Sequence, residues 1–218
     1  VSTLDFWVNC LVVLIAMTNL RLLGSSRVVS CVHTVAFQGV LLGVLAIVGA
    51  SGGLAAHGIV LAAVNIVLKG LVFPWLLMRA LRETHLRREV EPAIGFGASM
   101  LLGVLLIGVC LWIGSRLPLP VGVQASPLLV PAALFTLMVG LFMIVARRKA
   151  LTQVVGYLSI ENGITAFGLG FALKEALLVE LGILLDAFMA VFVMGIIIFH
   201  ISREFDHIDA GELSALKD

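Results

Sequence analysis

Seven stretches of this chain, roughly 6–23, 28–49, 56–78, 93–114, 128–146, 150–171 and 177–200, are almost continuously apolar. A helix needs about 20 apolar residues to cross the hydrocarbon core of a bilayer, and each stretch is near that length. Hydrocarbon offers no partner to a bare N–H or C=O, so such segments fold as helices that satisfy their own backbone. The expected fold class is therefore all-α, a polytopic membrane helical bundle of about seven transmembrane helices. Composition agrees. Of 218 residues, 61% are hydrophobic and 12% charged, with a mean hydropathy of +1.17; soluble domains lie nearer half apolar and a quarter charged. The first apolar run has no small-residue cleavage site and is expected to belong to the protein itself.

The charges orient the bundle. Arg21 and Arg27 follow the first stretch, and Arg79, Arg82, Arg87 and Arg88 the third. Arg147, Arg148 and Lys149 follow the fifth, and Arg203 and Lys217 the seventh, whereas the opposite loops hold only Arg116 and Lys174. By the positive-inside rule the N-terminus is outside and the C-terminus cytoplasmic. The Pro-rich segment "SRLPLPVGVQASPLLVP" (115–131) cannot continue a helix. Residues 115–127 read as an external linker between a four-helix half, 1–114, and a three-helix unit, 128–201. The polar tail, 202–218, is either a frayed end or a docking strand for a cytoplasmic subunit.

Several functions are excluded. A net charge of +1 gives no reason to expect a nucleic-acid partner. Cys10, Cys31 and Cys110 stand alone in apolar runs, with no C-x-x-C, so they read as buried small hydrophobes and not as metal or disulfide ligands. Neither a phosphate-cradling Gly-rich loop nor a G-x-S-x-G nucleophile elbow is present.

An offset of 124 positions lays Gly39 on Gly163, Gln38 on Asn162, and "GIVLAAV" (58–64) on "GILLDAF" (182–188). The second and third stretches thus read as a worn copy of the sixth and seventh. In that copy Ala62 stands where Asp186 does and Phe37 where Glu161 does, so both acids are missing.

A charged side chain at the centre of a membrane helix costs about 2.5–3.5 kcal/mol on insertion scales, which makes each survivor a functional candidate. Four occur: Lys69, Glu161, Glu180 and Asp186. Glu161 lies about ten residues from either end of its stretch, too deep to reach headgroups, with Tyr157 and Thr165 at i−4 and i+4 and Gln153 beyond. That stripe, with Asn162 beside it, should face protein or water. Desolvation favours the neutral form of such an acid, so it reads as a group that loads and releases a proton, or else as a structural acid bonded to a neighbouring helix. Asp186 lies between Gly182 and Ala190, small residues that admit a close helix neighbour. Glu180, nearer the outer boundary, is either a relay or a snorkelling acid. Lys69 follows Asn65 by one turn and precedes Pro74, which cannot donate to the Gly70 carbonyl, so the helix should bend or open there. A buried amine at such a break suits proton handling; the alternative is a side chain that snorkels to the cytoplasmic surface. His33 and Gln38 in the second stretch are milder candidates, suited to bonds across helices.

Together "GYLSIENG", "LVELGILLDAFMAV", "VLKGLVFP" and the ending "HIDAGELSALKD" closely resemble the component E subunit of hydrogenase-4-type, formate-hydrogenlyase-like membrane complexes. The likeness runs over nearly the whole chain. The last three stretches also resemble, more distantly, the K subunit of respiratory complex I and the C subunit of multisubunit sodium/proton antiporters. The resemblance implies a non-catalytic membrane-arm subunit of a complex I-like, group 4 nickel–iron hydrogenase or related redox complex in a prokaryotic cell membrane. Glu161 matches the family's middle-helix acid, proposed to relay protons. Asp186 falls where the complex I unit carries a glutamate, with Glu180 as the competing second acid. Implied partners are antiporter-like membrane subunits, an anchoring subunit resembling the complex I H subunit, and cytoplasmic hydrogenase and iron–sulfur proteins. The nickel–iron and iron–sulfur centres would sit in those other subunits, with no cofactor bound by this chain. Two further functions stay open: a purely structural connector, and a subunit of a multisubunit cation antiporter.

Overall fold

The computed structural model describes residues 3–49, 62–63, 65–83, 94–117, 126–147, 150–170 and 195. Among these residues the chain is helical and holds no strand. Helix α1 spans Thr3–Gly24, α2 Val28–Gly49, α3 Phe73–Glu83, α4 Phe96–Arg116, α5 Leu129–Ala146 and α6 Ala150–Gly170. Residues 65–67 and a π-helical turn, Leu68–Val72, run directly into α3. By length and composition, Asp5–Gly24, Val28–Val48, Phe96–Arg116 and Leu129–Ala146 can each cross a membrane. Helix α6 has 21 residues, but Gln153, Glu161 and Asn162 dilute its apolar character. The chain is a helical membrane bundle. The expected seventh stretch, 177–200, lies outside the described residues.

Local chemistry sets the helix ends. Asp5 in the first turn of α1 and Arg21 in its last complement the helix dipole. α4 ends at Arg116 where the Pro-rich segment begins, and α5 starts at Leu129 with Pro131 in its first turn, where a missing N–H forfeits no bond. The third helix runs farther than hydropathy suggests, to Glu83 instead of about 78. Beyond Pro74 it is amphipathic: Phe73, Leu77, Ala80 and Leu81 are buried while Arg79 and Arg82 face outward, which carries it past the apolar limit.

Glycines bring the central helices together. A Cβ at Gly140 would lie 2.6 Å from the Gly156 oxygen and one at Gly156 would lie 2.9 Å from the Gly140 oxygen, so the α5 and α6 backbones touch. At Gly163 it would meet Leu137 N at 2.8 Å. Where lipid removes the hydrophobic drive for association, such small-residue contacts supply the packing. Two apolar clusters result, one around Leu23, Cys31, Phe73, Phe135 and Val155, the other around Ile15, Leu42, Leu45 and Ala133. The far side of α4 is different: Leu101, Val104, Leu105, Val109 and Trp112 are exposed.

Candidate functional site

Between the two clusters lies a belt of polar side chains, and its anchor is Lys69. In the π turn the Phe73 N–H donates to the Leu68 carbonyl, five residues back. Pro74 has no N–H to give, and the wider turn absorbs that loss without ending the helix; such π bulges recur at functional sites. The helix therefore opens at Lys69–Gly70 and does not break. Gly39 of α2 makes room for the lysine, since a Cβ there would lie 2.7 Å from Lys69 Cβ. Gly70 answers on the other helix, where a Cβ would meet Val40 Cγ2 at 2.9 Å.

Lys69 Nζ stands 2.5 Å from Glu161 Oε1, with the two side chains 4% and 2% exposed. The ammonium also donates to Asn162 Oδ1 at 3.2 Å and to Thr165 Oγ1 at 3.4 Å. Lysine has three N–H donors, and these acceptors use all three. Thr165 Oγ1 in turn donates to the Glu161 carbonyl at 3.0 Å. From Asn162 the polar belt continues: its Nδ2 donates to Gln38 Oε1 at 3.1 Å and to the Val35 carbonyl at 3.3 Å. Gln38 Nε2 donates to Asn19 Oδ1 at 2.9 Å and Thr18 Oγ1 at 3.1 Å. Asn19 Nδ2 donates to Thr136 Oγ1 at 2.8 Å, and Thr136 hands its own proton to the Ala132 carbonyl at 2.7 Å. One network thus ties α1, α2, the π turn, α5 and α6.

Beside Lys69 is a cavity of about 10 Å³ bounded by Val32, Val35, Phe73, Pro74, Leu77 and Asn162. That is about the least space that holds one water. Pro74 and Leu77, which line it, lie on the side of Lys69 that runs towards the end of the bundle assigned to the cytoplasm by the charge bias.

The structure brings some of the candidate residues together and leaves others apart. Lys69, Glu161, Asn162, Thr165 and Gln38 share the belt. The stripe expected along α6 divides: Gln153 Nε2 turns to the Arg147 carbonyl at 3.1 Å, and Tyr157 is half-buried against the first apolar cluster. Snorkelling of Lys69 is excluded by its burial against Glu161. Asn65 lies one turn before Lys69, and its Oδ1 is buried with no hydrogen-bond partner among the described residues. His33 is exposed, Nδ1 2.9 Å from the Val29 carbonyl, and stays out of the belt. Asp186 and Glu180 lie outside the described residues.

Sequence reasoning does not single out Thr18, Asn19 and Thr136. Their signal was polarity inside apolar runs, faint because a hydroxyl can return its proton to its own helix, as Thr18 does to the Ile15 carbonyl at 2.6 Å. Arg147, one of the charges that orient the bundle, is buried, 1% exposed. Its Nη2 donates to the Leu23 carbonyl at 3.0 Å and its guanidinium lies 5.1 Å from the centre of the Phe96 ring. Nε and Nη1 have no hydrogen-bond partner among the described residues, and burial pushes the guanidinium below the usual arginine range.

Chemically, the belt has two kinds of member. Asn and Gln amides hold fixed donor and acceptor roles and act as braces, whereas Lys69 and Glu161 can exchange a proton.

Comparison with other proteins gives two kinds of relative. The uncharacterized protein Rv0085 of Mycobacterium tuberculosis is 34% identical over 155 residues, 70% of each chain. Hydrogenase-4 component E of Escherichia coli (strain K12) is 32% identical over 153 residues, 69% of each chain, as is that of Shigella flexneri. No family model matches, and no solved structure gives a significant match.

Proposed function

The chain belongs to the hydrogenase-4 component E family, and on that premise we propose that it is a membrane subunit of a hydrogenase complex that helps conduct protons across the bilayer. The observation that carries this reading is the buried ion pair of Lys69 and Glu161, 2.5 Å apart at a π turn, beside a cavity with room for one water. A buried pair made of well-packed apolar residues would be as stable or more so, which leaves the charges in need of a task.

The task is a proton step that balances at each stage. A proton arriving on the Glu161 carboxylate discharges the pair and leaves an unneutralised ammonium in a medium of low dielectric. Lys69 then releases its own proton to water in the adjacent cavity. Transfer from the Glu161 carboxyl to the Lys69 amine across their short contact restores the charged pair. One proton has moved from the Glu161 side to the cavity side. A second acid, Asp186 or Glu180, would feed Glu161, and redox turnover in neighbouring subunits would bias the pair electrostatically. Those neighbours are antiporter-like subunits, an H-like anchoring subunit and cytoplasmic hydrogenase and iron–sulfur proteins, the last holding the nickel–iron and iron–sulfur centres.

One observation favours a second reading, that of a structural connector. The Lys69 ammonium is saturated, and the belt leading away from it is braced by Asn162, Gln38 and Asn19 amides that pass no proton. Glu161→Gln separates the two. In the assembled complex in vesicles, the conducting role predicts intact assembly and fewer protons moved per electron. The connector role predicts a broken assembly on blue-native electrophoresis, and an unchanged proton ratio contradicts conduction.

A further inference from the structure

A groove of about 860 Å³ opens where α1 meets α2, on the end of the bundle assigned to the cytoplasm. Arg21 and Arg27 flank it, Ser25, Ser26 and Ser30 add hydroxyls, and Met17, Leu20 and Met100 form an apolar wall. Among the described residues no acidic side chain lines it and neither arginine is in a salt bridge. Behind the wall stands a third cation. Arg147 bonds the carbonyl of Leu23, next to Gly24 in the groove, and lies over Phe96, one turn from Met100. Its charge is desolvated, so its field is poorly screened.

We propose that this groove holds the phosphate of an anionic phospholipid, with Arg21 and Arg27 as the cationic contacts and the Ser26 and Ser30 hydroxyls as donors. Two features select a lipid over a free anion or a polypeptide. The apolar wall continues into the bilayer along Val13, Leu14 and Met17 of α1 and Leu101, Val104 and Leu105 of α4, all exposed, which gives acyl chains a lane leading away from the headgroup. The polar part sits at the membrane boundary, where basic pockets between helices take anionic headgroups and each arginine adds about fivefold. The proposal is independent of the proton-conducting role.

The test uses the full chain in neutral detergent, stripped of lipid, with phosphatidylglycerol, phosphatidylcholine and sodium phosphate as probes. Phosphatidylglycerol should bind at least about tenfold more tightly than phosphatidylcholine. Arg21→Gln with Arg27→Gln should remove most of that preference. Ser30→Trp fills the groove without changing its charge and should displace the lipid too, which keeps the test decisive if the double variant folds poorly. Equal binding of the two lipids, or variants without effect, would overturn the proposal. So would displacement of the lipid by millimolar phosphate, which marks a free-anion site, or a partner polypeptide seated in the groove of the assembled complex.

Discussion

Lys69 and Glu161 come from opposite halves of the chain, and their 2.5 Å contact is an ion pair buried inside the bundle. Such a pair is poorly explained as a source of stability, because desolvating two charges offsets most of their attraction. Its physics makes each single substitution informative.

Removing one partner strands the other. Lys69→Met leaves the Glu161 carboxylate in the core without its cation and should destabilise the chain by about 3–5 kcal/mol. Lys69→Met with Glu161→Met replaces the pair by apolar volume and should bring stability back to within about 1 kcal/mol of the parent or above it. Thermal unfolding of the parent, Lys69→Met, Glu161→Met and the double variant in one detergent gives the coupling energy. Additive losses would mean that the contact contributes nothing in the membrane.

The amide brace makes a separate prediction. Asn162→Leu leaves Gln38 Oε1 without its donor, and Gln38→Leu leaves both Asn162 and Asn19 short of a partner. Each should cost about 1–3 kcal/mol, and the double variant should cost clearly less than their sum, since the shared bond is lost once.

Helix contact is testable at glycines. Gly140→Ala drives a methyl group into the Gly156 oxygen, a backbone atom that cannot turn aside, and should cost about 1–3 kcal/mol and loosen α5 from α6. Gly108→Ala meets nothing within 4 Å and should be neutral. A cysteine pair across α5 and α6 that still cross-links in Gly140→Ala would contradict that geometry.

Arg147 gives a pH prediction with a definite sign. Burial lowers its value in the folded chain, so the folded state releases that proton more readily than the unfolded one. The penalty is fully present below the folded-state value and lifts only as pH rises through it, in the alkaline range. Arg147→Met should therefore raise or leave unchanged the stability, by an amount that stays flat between about pH 6 and 8. A difference that varies across that window would sink the assignment.

Much of this was legible beforehand. Apolar run length placed α1, α2, α4, α5 and α6 within a few residues of their observed ends, because in lipid the backbone has few other options. Lys69 and Glu161 stood out for the same reason, as charges where charges are expensive. Their pairing was not legible: nothing in a hydropathy pattern says which helices adjoin, and Lys69 reaches Glu161 only because Gly39 clears its path. One hint did exist. Gln38 and Asn162, superposed by the 124-residue offset, are hydrogen-bonded to each other. Arg147 shows the opposite failure, since charge patterning locates a residue along the membrane normal and is blind to which way its side chain turns.

The most direct test of the proton step is the number of protons moved per electron by the assembled complex, in sealed vesicles, carrying Lys69→Gln together with Glu161→Gln. Neutralising both partners removes the stranded charge, so the complex should assemble at wild-type yield while its proton ratio falls. A wild-type ratio in that double variant would show that these two residues hold helices together and carry nothing.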